Sequence, residues 1–105
     1  MVKVTITADA LEDLQNIKHF YKEYPGKEAS IRKKIVEGYK LLETFPKAGP
    51  VEIHFEDRSV TYRSLVIDKD FKLIYYIEEE IIYIAGIWDC RQDPLKIFDR
   101  LYPSC

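Results

Sequence analysis

Cysteine is scarce in this 105-residue chain: Cys90 and Cys105 are the two present. They form no C-x-x-C pair, and a disulfide framework in so short a chain needs more of them. The expected location is therefore the reducing cytoplasm. Histidine is equally rare. His19 and His54 stand far apart without ligand spacing, so neither a metal nor another cofactor is expected. Long apolar runs are missing as well. None approaches the roughly 18 residues that cross a membrane, so no membrane partner is expected. The opening "MVKVTITADALEDLQ" turns charged and polar at once, unlike a signal peptide. A basic excess is also absent, with 16 Lys and Arg against 18 Asp and Glu. Proteins that track a phosphate backbone carry such an excess, because it releases counterions. Stable direct DNA binding by this chain alone is therefore not expected. There is no repeat, low-complexity segment or linker.

What is present describes a small globular domain. Hydrophobic residues make up 47% and charged residues 32%, a balance that folds rather than one that stays disordered. Eight tyrosines supply large side chains for a small core. The length fits one domain over residues 1–105. Charge is uneven: residues 1–50 hold nine Lys/Arg and seven Asp/Glu, about +2, whereas 51–105 hold seven and eleven, about −4.

Periodicity orders the elements. "VKVTIT" alternates Val2, Val4 and Ile6 with Lys3, Thr5 and Thr7, a short strand with one buried face. Leu11, Leu14, Ile17, Phe20/Tyr21 and Tyr24 then recur at helical spacing. Asp9 with Glu12 has capping-box spacing, and Thr7 is the alternative cap. Tyr24-Pro25-Gly26 reads as the stop. A second helix, "KEASIRKKIVEGYKLLETF", carries a stripe of Ile31, Ile35, Tyr39, Leu42 and Phe45. Its basic run Arg32, Lys33, Lys34 and Lys40 reads as a solvated face. The short link predicts an antiparallel helix hairpin. After "FPKAGPVEI" come three strands, "SVTYRSLVI", "FKLIYYI" and "IIYIAGIWD", with turns at Asp68–Asp70 and Glu78–Glu80 that imply an antiparallel meander. The class is α+β: N-terminal strand, helix hairpin, three-stranded meander.

"FKLIYYI" is apolar on both faces, with Phe71, Leu73, Tyr75 and Ile77 on one and Ile74 and Tyr76 on the other. Two helices cover only one face of a small sheet. The other face then needs the chain's own tail, a partner, or both to cover it.

Strand, helix hairpin, F-P-x-x-G and meander, closed by "IWDCRQDP", resemble in this order the RelE/ParE toxin superfamily of bacterial toxin–antitoxin (plasmid stabilisation) modules. The clearest points are "LLETFPKAG", "YRSLVIDKDFKLIYYIEEEIIYI" and "IWDCRQDP", the last similar to the I-x-x-x-R-x-x-P ending of the ParE-like branch. The resemblance implies a mostly antiparallel sheet backed by two helices. It also implies a cognate antitoxin that wraps the domain and covers the sheet face and the ends.

The superfamily implies two activities. RelE-like members cleave mRNA in the ribosome; ParE-like members bind and poison DNA gyrase. Attack by a 2′-hydroxyl needs a group to take its proton, a group to stabilise the phosphorane and a group to help the leaving oxygen. The resemblance places the basic positions of RelE-like members near Arg63 and Leu65, near Lys72 and at Arg91, with a terminal aromatic at Phe98 or Tyr102. Leu65 carries no charge, and Lys72 lacks the bidentate fork of an arginine. Asp68, Asp70, Asp89 and Asp93 oppose a polyanion. Arg63, Lys72, Arg91 and Tyr102 are thus the catalytic candidates of a metal-independent endoribonuclease alternative.

The thinned cluster favours the ParE-like branch, a toxin that binds a cognate antitoxin and inhibits DNA gyrase and needs no catalytic constellation. The ribosome is the target in the alternative reading, and a non-toxic member that keeps only the antitoxin-binding fold is the third. Candidate target- or antitoxin-binding residues are Leu65, Ile74, Tyr76, Trp88, Arg91 and Asp93. Trp88 reads either as a core residue capping the sheet or as an interface anchor. Arg91 reads either as an anchor or as the salt-bridge partner of Asp89 or Asp93. Cys90 has no companion His or Asn and reads as structural.

Overall fold

The computed structural model describes residues 2–52 and 60–89. The elements are β1 (Lys3–Ile6), α1 (Ala8–Phe20), α2 (Pro25–Thr44), β2 (Tyr62–Asp68), β3 (Phe71–Glu78) and β4 (Ile81–Asp89). The strands form one sheet in the order β1-β4-β3-β2. The meander pairs are antiparallel, and β1 lies parallel to β4 with Lys3 opposite Ile81 and Ile6 opposite Ile84. The expected α+β class and element order hold.

Thr7, and not Asp9, caps α1. Its Oγ accepts from the Ala10 N–H at 3.3 Å and donates to the Ile84 carbonyl at 2.8 Å. One side chain therefore satisfies an orphan helix donor and ties the helix start to β4. Pro25 opens α2; it does not stand in a stop ahead of it. Proline suits the first helical position because its missing N–H would have no partner there and its φ is already helical.

Both helices lie on one face of the sheet. Ala10 and Tyr21 from the first helical segment and Ile31, Ile35 and Leu42 from α2 meet Phe71, Leu73, Tyr75, Ile82, Ile84 and Ile87. Each large apolar side chain buried here contributes about 1.5–3 kcal/mol. Gly38 lets α2 sit close: a Cβ there would stand 2.9 Å from Ile67 Cγ2 and 3.0 Å from Leu73 Cδ1.

The F-P-x-x-G segment is held by β3 and β2. The buried Tyr75 hydroxyl donates to the Pro46 carbonyl at 2.8 Å and accepts from the Gly49 N–H at 2.9 Å. Arg63 Nη1 donates to the Gly49 carbonyl at 2.9 Å. A Cβ at Gly49 would lie 2.5 Å from the Ser64 carbonyl oxygen, so glycine is required by close approach. Pro50 and Glu52 then pair with the edge of β2, accepting from Ser64 N–H and donating to the Tyr62 carbonyl.

β4 outruns β1, and a helix residue completes its edge. Asp13 Oδ2 accepts from the Ile87 N–H at 2.9 Å. The β3–β4 turn is tight: Glu79 and Glu80 have φ of 52° and 65°. A two-residue hairpin of the primed type needs such left-handed values, which usually fall to Asn and Gly. At the β2–β3 turn, Asp68 lies 3.4 Å from Lys34 Nζ and accepts from the Lys69 N–H. Burial pushes the Asp68 carboxyl up, but the Lys69 N–H, Lys34 and Lys27 outweigh it and hold the carboxyl below its usual range.

Candidate functional site

Strand alternation sorts the candidate residues onto opposite faces. Arg63 pairs with Tyr75 and Leu65 with Leu73, so both belong to the helix-facing side. Leu65 packs against the main core there. Ser64 pairs with Ile74, Tyr62 with Tyr76 and Val66 with Lys72, and these belong to the other side. Lys72 also pairs with Trp88, and Tyr76 with Tyr83. The opposite face thus carries Lys72, Ile74, Tyr76, Tyr83 and Trp88 together. Arg91, Asp93 and Tyr102, with His54 and Cys90, lie outside the described residues.

The centre of this face is a second small core. Ile74 is 2% exposed, Ala85 7% and Trp88 9%, with Tyr62 and Tyr76 packed at their flank. Trp88 therefore sits in a packed cluster. The register shifts opposite Ile74 and Tyr75, which bulges β4 at Ala85 and Gly86. A bulge of this kind bends the strand and re-aims its side chains.

Polar groups gather at one end of the face. Lys72 Nζ lies 3.2 Å from Glu52 Oε1, and Ser64 Oγ donates to the same carboxylate oxygen. The lysine is therefore neutralised in place and its carboxylate partner is further satisfied. At the other end, Tyr62 meets Tyr76 edge-on with centroids 5.6 Å apart, and Tyr76 stacks on Tyr83 at 5.1 Å and 18°. Burial, then the nearby Glu78 carboxylate and Tyr83, push the Tyr76 phenol above its ordinary value. On the helix side, burial also raises Tyr75, against the opposing pull of the Gly49 N–H and Arg63.

Chemically, Arg63 and Lys72 do not meet. The sheet separates them, and each already has a partner on its own side. Among the described residues no three His, Cys, Asp or Glu side chains gather to hold a metal ion, and no helix is long and apolar enough to cross a membrane. Sequence reasoning did not anticipate Glu52, Ser64 or the tyrosine row. The row was accessible in principle, because Tyr76 and Tyr83 are equidistant from the Glu79-Glu80 turn and a two-residue hairpin sets such residues opposite each other.

Against known proteins, the family model of the ParE toxin of type II toxin–antitoxin systems (parDE) matches residues 4–94. The chain belongs to the ParE toxin family. The match begins in β1, runs through both helices and the whole sheet, and reaches Pro94, so Arg91 and Asp93 fall inside it. A solved chain of the chromosomal ParDE toxin–antitoxin system from P. aeruginosa superposes with a TM-score of 0.67 at 23% identity. The superposition covers 85% of this chain and 96% of that one, so the two share the fold over almost the full length of the solved chain. No match was found among curated proteins. In this ParE-family member the Tyr75–Gly49–Arg63 clamp holds the F-P-x-x-G segment on which the resemblance partly rests.

Proposed function

We propose that this ParE-family toxin acts in the cytoplasm, binds a cognate antitoxin protein, and inhibits DNA gyrase by binding it rather than by cutting RNA at the ribosome. The observation that supports the choice is the division of Arg63 from Lys72 by the sheet. A phosphorane needs its cationic stabilisers on one surface. Here one cation fastens a loop on the helix side, and the other is paired with Glu52 on the far side. A target-binding toxin needs no such convergence. It needs a surface with aromatic and Arg anchors, and the half-buried Tyr76, with Arg91 close to the end of β4 in sequence, supplies the residue types.

The test is induction of the chain in bacteria with DNA and protein synthesis followed separately, together with a supercoiling assay on purified gyrase. The expected result is growth arrest with a DNA-damage response, blocked supercoiling, and relief by co-expression of the adjacent gene's product. Prompt arrest of translation with intact supercoiling would replace this proposal with the endoribonuclease. No arrest of growth at all would leave the non-toxic reading.

A further inference from the structure

We propose that the row Tyr62–Tyr76–Tyr83 on the sheet face away from the helices is a docking platform for an arginine-bearing peptide segment of a protein partner. The three rings come from three adjacent strands at one level of the sheet, with Thr5 of β1 continuing the level beyond Tyr83. Each ring is half-buried, so it is anchored on one side and wetted on the other. Tyrosine in this state offers contact area at low entropic cost, since its rotamer is already held by its neighbours. In the stacked Tyr76–Tyr83 pair the inner ring faces cover each other, so a planar guanidinium is offered the outer faces, that of Tyr83 lying on the side of β1.

Charge selects the occupant. The next level of the sheet holds Glu78, Ile81 and Lys3, and the turn beyond it holds Glu79 and Glu80. Among the described residues, three carboxylates against one ammonium leave this end at a formal −2. Glu78 acts on the platform itself, since its carboxylate helps raise the Tyr76 phenol. A nucleic-acid strand could stack its bases on such rings, but its phosphates would meet these carboxylates. A guanidinium gains from both elements: the ring faces attract it and the carboxylates accept its paired N–H groups. The site is distinct from the Arg63 clamp; it shares Tyr76 with the target-binding surface proposed above and deepens that reading, while peptide binding is read without gyrase and so fails or holds separately.

The experiment uses the full-length chain and a fluorescein-labelled (Arg-Gly)4 peptide, with (Lys-Gly)4, (Gln-Gly)4 and a single-stranded oligo-U RNA as competitors. Binding is followed by anisotropy and by amide shifts in NMR spectra. The expected order is Arg over Lys over Gln, with RNA failing to compete and shifts centred on Tyr76, Tyr83 and Glu78–Glu80. Tyr76→Leu should weaken peptide binding about three- to fivefold, the size of an exposed cation–π contact. Glu78→Gln/Glu79→Gln/Glu80→Gln, at positions exposed enough to leave the fold intact, should weaken it about tenfold at low salt. Equal binding of the Arg and Lys peptides with no loss in either variant would overturn the proposal. So would shifts confined to another surface, or RNA displacing the peptide.

Discussion

Replacing Glu79-Glu80 with Asn-Gly should stabilise the protein by about 1–2 kcal/mol. The figure follows from backbone conformation. Both residues sit at left-handed φ, 52° and 65°. An L-residue with a full side chain pays roughly 1–2 kcal/mol there. Asparagine relieves part of this and glycine all of it, while the greater freedom of glycine in the unfolded chain returns about 0.5–1 kcal/mol. For a domain of this size, about 1 kcal/mol moves the midpoint by roughly 4–8 °C. Urea titration and thermal melts of Glu79→Asn/Glu80→Gly would read the gain directly. Charge is the competing cause, since three adjacent glutamates repel one another. The control is Glu79→Gln/Glu80→Gln, which removes the charge and keeps the strain, and it should stay within about 0.5 kcal/mol of the parent. If the Asn-Gly chain melts no higher, or if the Gln-Gln chain gains as much, conformational strain is not what the turn stores.

Tyr75→Phe removes both hydroxyl bonds to the Pro46–Gly49 segment and strands the buried Gly49 N–H. A loss of about 2–3 kcal/mol in denaturant melts is expected, and a loss under 1 would show that the loop is held by Arg63 instead. Tyr39→Phe should behave oppositely. Its hydroxyl is buried with no hydrogen-bond partner among the described residues, so the variant should equal or exceed the parent by up to about 1 kcal/mol; a clear loss would reveal a bond to that oxygen. Alkaline pH supplies a fourth test. Burial raises the phenols of Tyr39, Tyr75 and Tyr76 above the ordinary 10.0. A raised phenol favours the protonated form in the fold, so its stabilising contribution is full below pH 10 and is lost as pH rises through the folded value. Tyrosinate absorbance should therefore lag for these residues until the protein unfolds. Titration of every tyrosine near 10 in the native state would contradict the burial.

Much of this architecture was legible because strand alternation is a local signal. The alternation of "FKLIYYI" separates Ile74 and Tyr76 from Leu73 and Tyr75, and the sheet keeps that division. Leu65 and Arg63 were harder. Their common face follows from their spacing, but whether it is the face of Ile74 or of Leu73 depends on the register across the Lys69-Asp70 turn and on the shift between Val66 and Asp68. Charge alone groups Arg63 with Lys72, whereas the loop that occupies Arg63, at Gly49, comes from a different part of the chain. Pro25 reads from sequence as a helix stop but starts α2, because proline both stops helices and starts them and the short link leaves room for either. The position of β1 beside β4 was not legible at all, since parallel pairing across so many residues leaves no local trace. Trp88 reads from sequence either as core or as anchor, and its packing against Ile74 and Ala85 rests on a bulge that no local pattern announces.

The parallel pairing of β1 with β4 sets a timetable for the molecule. The first strand made finds its neighbour only among the last described residues: Lys3 with Ile81, and Thr7 with Ile84, the latter 77 positions apart. Contacts this distant in sequence are slow to form, because the intervening loop must close before they return any energy. On a ribosome the N-terminal strand and both helices emerge without the central strand on which they rest. Ala10 and Ile84, both fully buried in the finished fold, cannot be buried together until β4 is out. The domain is therefore completed all at once and late. A chain cut anywhere before Ile81 would lose its sheet centre, the tie from Thr7 to Ile84 and its tyrosine row in a single stroke.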